Sequence, residues 1–174
     1  MSNGLSFLEV NGNKEISIYE KTLLAKHNIS SLFDWSVNLT NLVLINFGIP
    51  AHVYNTNKLK SKNLNSNLYS GNLNILGNKE VNVLDVLCIY NDNQPISIAS
   101  VMGLENTKTD LNSNNYLFEI GVFDPKYIRH GSKEIKITSN SSNQGSRPIT
   151  HYMAKFSNEI YSKLLFWTWN FKYN

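Results

Sequence analysis

Apolar residues in this chain fall into runs of two kinds. Residues 81–90, 95–102 and 116–123 are dense in Val, Ile, Leu and aromatic side chains. They are separated by Asn91-Asp92-Asn93 and by a polar stretch, 105–115, and read as strands of a buried β core. Glu15-Ile16-Ser17-Ile18-Tyr19 alternates like a half-buried strand, and residues 20–27 have the good formers of a short helix that Asn28 ends. From Ser31 the series Leu32, Phe33, Trp35, Val37, Leu39, Val43 and Phe47 predicts a mostly buried helix stopped by Gly48 before Pro50, with a strand at 42–45 as the alternative.

Beyond the last strand, Asp124-Pro125 offers a cap and a proline at the first helical position, so residues 126–135 are predicted as a short helix. Thr150 can cap a final helix over 150–169 whose apolar positions Met153, Phe156, Ile160, Leu164 and Trp167 step by three or four residues. The aromatic tail after it is the kind of apolar surface that marks a contact. Residues 55–79 are crowded with Asn, Ser, Lys and Gly and predict a long exposed loop with at most a short strand at 73–76.

Composition narrows this picture in a few places. With 174 residues, one domain over 1–174 can bury a core without disulfides or metal, and 41% hydrophobic residues are enough to make it. Lys+Arg 16 against Asp+Glu 13 gives +3, which permits contact with RNA without arguing for it. The basic residues Lys58, Lys60, Lys62 and Lys79 read as a solvated face rather than a grip on RNA. The single cysteine, Cys88, lies in an apolar run and is expected to be a buried small hydrophobe in a reducing compartment. The start, MSNGLSFLEV, lacks a basic region followed by a long apolar core, so a soluble cytoplasmic protein without membrane partners is expected. His27, His130 and His151 have no metal-site spacing, and neither a phosphate-binding glycine loop nor a nucleophile elbow is present. Neither a metal nor a cofactor is expected.

Four segments in order carry a resemblance. Val37-Asn38-Leu39-Thr40-Asn41-Leu42-Val43 is similar to VVDVTNYV, and Phe47-Gly48-Ile49-Pro50-Ala51-His52-Val53-Tyr54-Asn55 to LGQPMHAFD. Ile98-Ala99-Ser100-Val101-Met102-Gly103 is similar to LAGVMGG. Leu117-Phe118-Glu119-Ile120-Gly121-Val122-Phe123-Asp124-Pro125, with Ile128-Arg129 beyond, is similar to LESAYFDP and the IR that follows it. These are motifs of the B3/B4 domain, the editing and tRNA-binding domain in the β subunit of bacterial phenylalanine–tRNA ligases, which the chain resembles most clearly over residues 30–147.

The resemblance implies an α+β fold, a three-layer domain with a β-sandwich-like core of mixed strands flanked by helices. It also implies hydrolytic removal of tyrosine wrongly attached to tRNA(Phe). The partners it implies are the tRNA(Phe) acceptor end, the ligase α subunit and the remaining β-subunit domains in a hetero-oligomer. An apolar synthetic site rejects an added hydroxyl only about a hundredfold, so a second site that demands the hydroxyl is needed.

In that reading Glu119 accepts the phenol, His52 orders water or the terminal ribose, and Thr138, or Ser139 in its place, supplies a hydroxyl. Ser100, Val101 and Asn140 fall at positions that line the tyrosine pocket. Without the motif, Glu119 reads as a strand carboxylate facing solvent and His52 as a structural histidine. Several positions depart from the family pattern. Ser100 replaces a glycine that lets backbone approach the ring, and Ser30 or Ser31 replaces an arginine. The family's RFERG is replaced by Asn143-Gln144-Gly145-Ser146-Arg147, and its preceding alanine by Asn140 or Ser141. The expectation is an eroded site in which editing is weak or absent, the alternative being a non-catalytic structural or tRNA-contacting module.

Overall fold

The computed structural model describes residues 2–147 together with Tyr152, Glu159 and Lys163. The helix expected over 150–169 and the aromatic tail otherwise lie outside the described residues. Among those described, the elements are β1 (Ser2–Asn11), α1 (Ile18–Lys26), α2 (Trp35–Phe47), β2 (His52–Asn55), β3 (Leu64–Ile75), β4 (Lys79–Asn91), β5 (Gln94–Ile98), β6 (Met102–Gly103), β7 (Asn115–Phe123), α3 (Pro125–Glu134) and α4 (Asn140–Gly145).

The strands form two sheets with orders β1-β7-β2 and β3-β4-β5-β6, and every named pairing is antiparallel. In the first sheet β7 is central, with both edges paired, and α2 and the second sheet cover its two faces. Tyr116, Phe118 and Ile120 point to α2, where they pack with Trp35, Leu39 and Val43. The alternate residues Leu117 and Phe123 point the other way and join the core of the second sheet with Ile89, Ile96 and Ile98. The α+β class and the sheet-on-sheet core agree with the expectation.

One helix ends and another starts where the sequence says, while α2 begins at Trp35, four residues after Ser31. Asp34 caps α2 by accepting from the Ser36 amide at 2.9 Å, and Gly48, at φ 68, ends it in a left-handed cap whose N–H donates to the Leu44 carbonyl. Asn38 donates to the Phe33 carbonyl at 2.9 Å, fixing the loop ahead of α2. Asp124 caps α3 with Pro125 in its first turn, and Gly131 of α3 lies bare against Ile98. Cys88 is buried and free.

Several expectations are corrected. Residues 15–19 are not a strand: Ser17 is the N-cap of α1, its backbone N–H donating to the Glu20 carboxylate at 2.6 Å while its hydroxyl accepts from the Glu20 amide at 3.2 Å. A capping box three residues apart outweighs a five-residue alternation. The loop expected over 55–79 contains the twelve-residue strand β3, which pairs along β4. Its Asn65, Asn67, Asn72 and Asn74 form the exposed face of an edge strand, while Leu73 and Ile75 are buried. The run 95–102 is two strands split by a turn in which Ser100 has φ 54. The pattern of residues predicts none of β1, β2 and α4.

Candidate functional site

Antiparallel register places His52 of β2 directly opposite Glu119 of β7, with Phe7 of β1 on the other side of Glu119. Opposed residues share a face, so His52, Glu119 and, two residues on, Tyr54 all project between the two sheets. Glu119 is 3% exposed and Tyr54 is fully buried. The Tyr54 hydroxyl donates a short hydrogen bond to Glu119 Oε2, and Ser97 Oγ of β5 lies 2.7 Å from the same hydroxyl. A phenol carries one proton, so with that proton on Glu119 it is Ser97 that donates to the Tyr54 oxygen. The three residues bridge the sheets.

Burial pushes the Glu119 carboxyl up to about 7, the Tyr54 hydrogen bond offsetting part of the rise. The Tyr54 phenol is also pushed up, by burial first and then by the neighbouring Glu119 charge, so it remains a donor. His52 is held down to about 4 by burial alone and is neutral near pH 7. Its ring meets Tyr54 edge-on, centroids 4.7 Å apart. Over it lies Gly103, where a Cβ would come within 2.5 Å of the imidazole, which explains a glycine at that position.

The other predicted residues lie elsewhere. Ser100 occupies the left-handed region that its glycine counterpart adopts freely, and its side chain lies against Gly145, where a Cβ would be 3.1 Å away. Val101 is buried, and its carbonyl accepts from Ser139 Oγ at 3.1 Å. Ser139 in turn caps α4. Thr138 and Asn140 are exposed. Thr138 lines a surface cleft of about 570 Å³ with Arg129, Lys133, Lys136 and Asn143. Glu119 and His52 are therefore brought together in the interior, while Thr138 belongs to a basic surface cleft that neither of them lines.

A second cleft, about 680 Å³, opens between β1 and the segment 56–64 and is lined by Phe7 and Leu117, the register partners of Glu119 and Tyr54, and by Glu9 and Lys62. The latter two pair at 2.7 Å. It stops short of Glu119. Among the described residues no group of three or more His, Cys, Asp or Glu could hold a metal ion, and no helix is long and apolar enough to cross a membrane.

Sequence reasoning missed Tyr54 and Ser97. The signal for Tyr54 was there: it stands where the motif LGQPMHAFD has phenylalanine. Ser97 gave none, since a serine on a strand is ordinarily a surface residue.

The sequence profile of the B3/4 domain matches residues 8–165. The phenylalanine–tRNA ligase beta subunit of Mycoplasmopsis synoviae (strain 53) is 49% identical over 155 residues, which are 89% of this chain and 21% of that protein. That of Mycoplasmopsis pulmonis (strain UAB CTIP) is 36% identical over 152 residues, 86% of this chain and 21% of that one. The chain thus spans about a fifth of the length of the curated relatives it matches. The crystal structure of an N-terminal fragment of the phenylalanyl-tRNA synthetase beta-subunit from Pyrococcus horikoshii superposes with a TM-score of 0.51 at 9% identity, covering 82% of this chain and 45% of that one. At that identity the likeness is one of fold.

Proposed function

The chain belongs to the B3/4 domain family, and on that premise we propose that it serves in the β subunit of a phenylalanine–tRNA ligase as an editing-type domain whose hydrolysis of tyrosyl-tRNA(Phe) is weak or absent. Its partners in this reading are the tRNA(Phe) acceptor end, the ligase α subunit and the rest of the β subunit, in the cytoplasm and with no cofactor of its own.

One observation carries the reading: the groups that would have to act together are divided. Glu119 and His52 face the interior between the sheets, while Thr138 and Asn140 are exposed at the surface. Hydrolysis needs the ester, a water and its activating group within hydrogen-bond reach of one another, and misplacement by even 1 Å costs about a hundredfold. A half-buried imidazole held down to about 4 is moreover a weak base for drawing a proton from water near pH 7. The basic cleft of Arg129, Lys133 and Lys136 has the charge to meet an RNA backbone. That favours the second reading, a tRNA-contacting module without chemistry of its own.

The decisive measurement is release of tyrosine from Tyr-tRNA(Phe) by the assembled ligase carrying this domain. Release within about tenfold of the spontaneous rate is expected, the scale of a site lacking one or more positioned groups. Fast release that Glu119→Ala abolishes would refute the proposal.

A further inference from the structure

Glu119 presents an unusual problem for a fold to solve. It stands on the inner face of a central strand, with sheet on either side of it and a second sheet above, so water cannot satisfy it. A buried carboxyl is tolerated only with a partner, and among the described residues Glu119 forms no ion pair. Its donor is the phenol of Tyr54, a fully buried side chain reaching across from the neighbouring strand. From these contacts we infer that Tyr54 is a built-in phenol ligand, occupying with its own hydroxyl the acceptor at which a substrate's phenol would be recognised, so that the domain cannot select a tyrosyl group.

The inference rests on the reading of Glu119 as the phenol acceptor of an editing-type site and adds why that site does not discriminate. Three observations support it. Both groups suited to read a phenol, the Glu119 carboxyl as acceptor and the Ser97 hydroxyl as donor, are engaged by the same oxygen of Tyr54. His52, the aromatic neighbour of Glu119 in register, lies edge-on against the Tyr54 ring rather than against open space. Finally, Tyr54 stands at the phenylalanine of LGQPMHAFD, a difference of a single oxygen, and that oxygen makes both bonds. A phenylalanine at this position would leave Glu119 and Ser97 free to bind another hydroxyl.

The full chain carrying Tyr54→Ala tests this with p-cresol, a tyrosine side chain without its backbone, and toluene, the same ring without the hydroxyl. Thermal-shift or calorimetric titration is expected to show the parent chain binding neither, and Tyr54→Ala binding p-cresol at least tenfold more tightly than toluene. Adding Glu119→Leu should abolish that preference. Equal binding of the two ligands by Tyr54→Ala, or p-cresol binding by the parent chain that depends on Glu119, would overturn the inference. Should Tyr54→Ala not fold, Tyr54→Phe keeps the ring and removes only the hydroxyl. The carboxyl stretch of isotope-labelled Glu119 at pH 6 should then move to the position of a carbonyl without a hydrogen bond, and an unchanged band overturns the inference equally. Ligand binding reads the occupancy of Glu119 and Tyr-tRNA(Phe) hydrolysis reads the functional proposal. Rapid hydrolysis by the parent would sink both, whereas slow hydrolysis alongside equal binding of p-cresol and toluene by Tyr54→Ala would sink the inference and leave the functional proposal standing.

Discussion

Two buried tyrosine–carboxylate pairs lie on opposite faces of the same sheet, and they are built differently. On the α2 side, Asp34 accepts from the Ser36 amide and the Ser36 hydroxyl with one oxygen and lies 3.1 Å from the Tyr116 hydroxyl with the other. That hydroxyl also lies 2.8 Å from Asn13 Oδ1, within reach of the Ser113 carbonyl, and accepts from Trp35 Nε1 at 3.1 Å. Burial first, then the Asp34 charge, pushes the Tyr116 phenol upward. On the inner side, Glu119 receives Tyr54 and Tyr54 receives Ser97. Asp34 caps a helix and ties it to the sheet, so the architecture needs its charge. Glu119 caps nothing, and its function in the fold is confined to accepting one phenol. The two carboxyls thus differ in what the fold asks of them: Asp34 holds a helix to the sheet, and Glu119 holds one side chain.

The largest expected break in this contrast comes from Asp34→Ala, which removes a helix cap and leaves the buried Ser36 hydroxyl without its acceptor. A loss of about 3 kcal/mol in urea unfolding is expected. Glu119→Gln, which keeps an acceptor for Tyr54, should stay within about 1 kcal/mol of the parent at pH 4.5. Equal losses at the two positions would erase the distinction.

Stability against pH sharpens the comparison next. Glu119 keeps its proton up to about 7 in the fold but only to 4.5 in the unfolded chain, so its contribution is complete below 4.5 and is lost as pH rises through 7. His52 runs the other way: its contribution is complete above 6.5 and is lost as pH falls through about 4. Between 4.5 and 6.5 the two slopes oppose and nearly cancel. Glu119→Gln removes one of them, so relative to the parent its stability should climb by on the order of 3 kcal/mol from pH 4.5 to 7. Parallel curves for the two proteins would mean that Glu119 does not titrate as its burial demands.

The smallest effect concerns Ser100, another departure from the family pattern. Serine at φ 54 carries strain that glycine does not, and Ser100→Gly should change stability by no more than about 1 kcal/mol, in the stabilising direction. It should leave the chain as unresponsive to p-cresol as before, because its side chain lies against Gly145 rather than blocking Tyr54 from Glu119. A p-cresol response gained in Ser100→Gly would move the blame for a closed site from Tyr54 to Ser100.

Much of this was legible in the sequence. The apolar runs announced β4, β5 and β7, Asp124-Pro125 and Gly48 announced helix ends, and ordered motifs announced the family. Where the reading failed, one local signal hid another. Asparagines that suggested a loop are the wet face of β3, and an alternation at 15–19 concealed the capping box that starts α1. Thr138 and Asn140 aligned with a pocket by their place in the chain, yet α3 and the turn after it leave both at the surface.

Periodicity, caps and turn residues depend on neighbours within a few positions, so the chain by itself determined most of the core strands and helices, the fold class and one of the two carboxyls, Glu119. Which donor reaches which carboxyl depends on register between strands far apart in sequence. Tyr54 and Glu119 are separated by 65 residues and Tyr54 and Ser97 by 43, and only the packing of two sheets brings the three together. A single hydroxyl, unremarkable in the sequence, thereby settles whether a buried acceptor is free for a ligand or already filled.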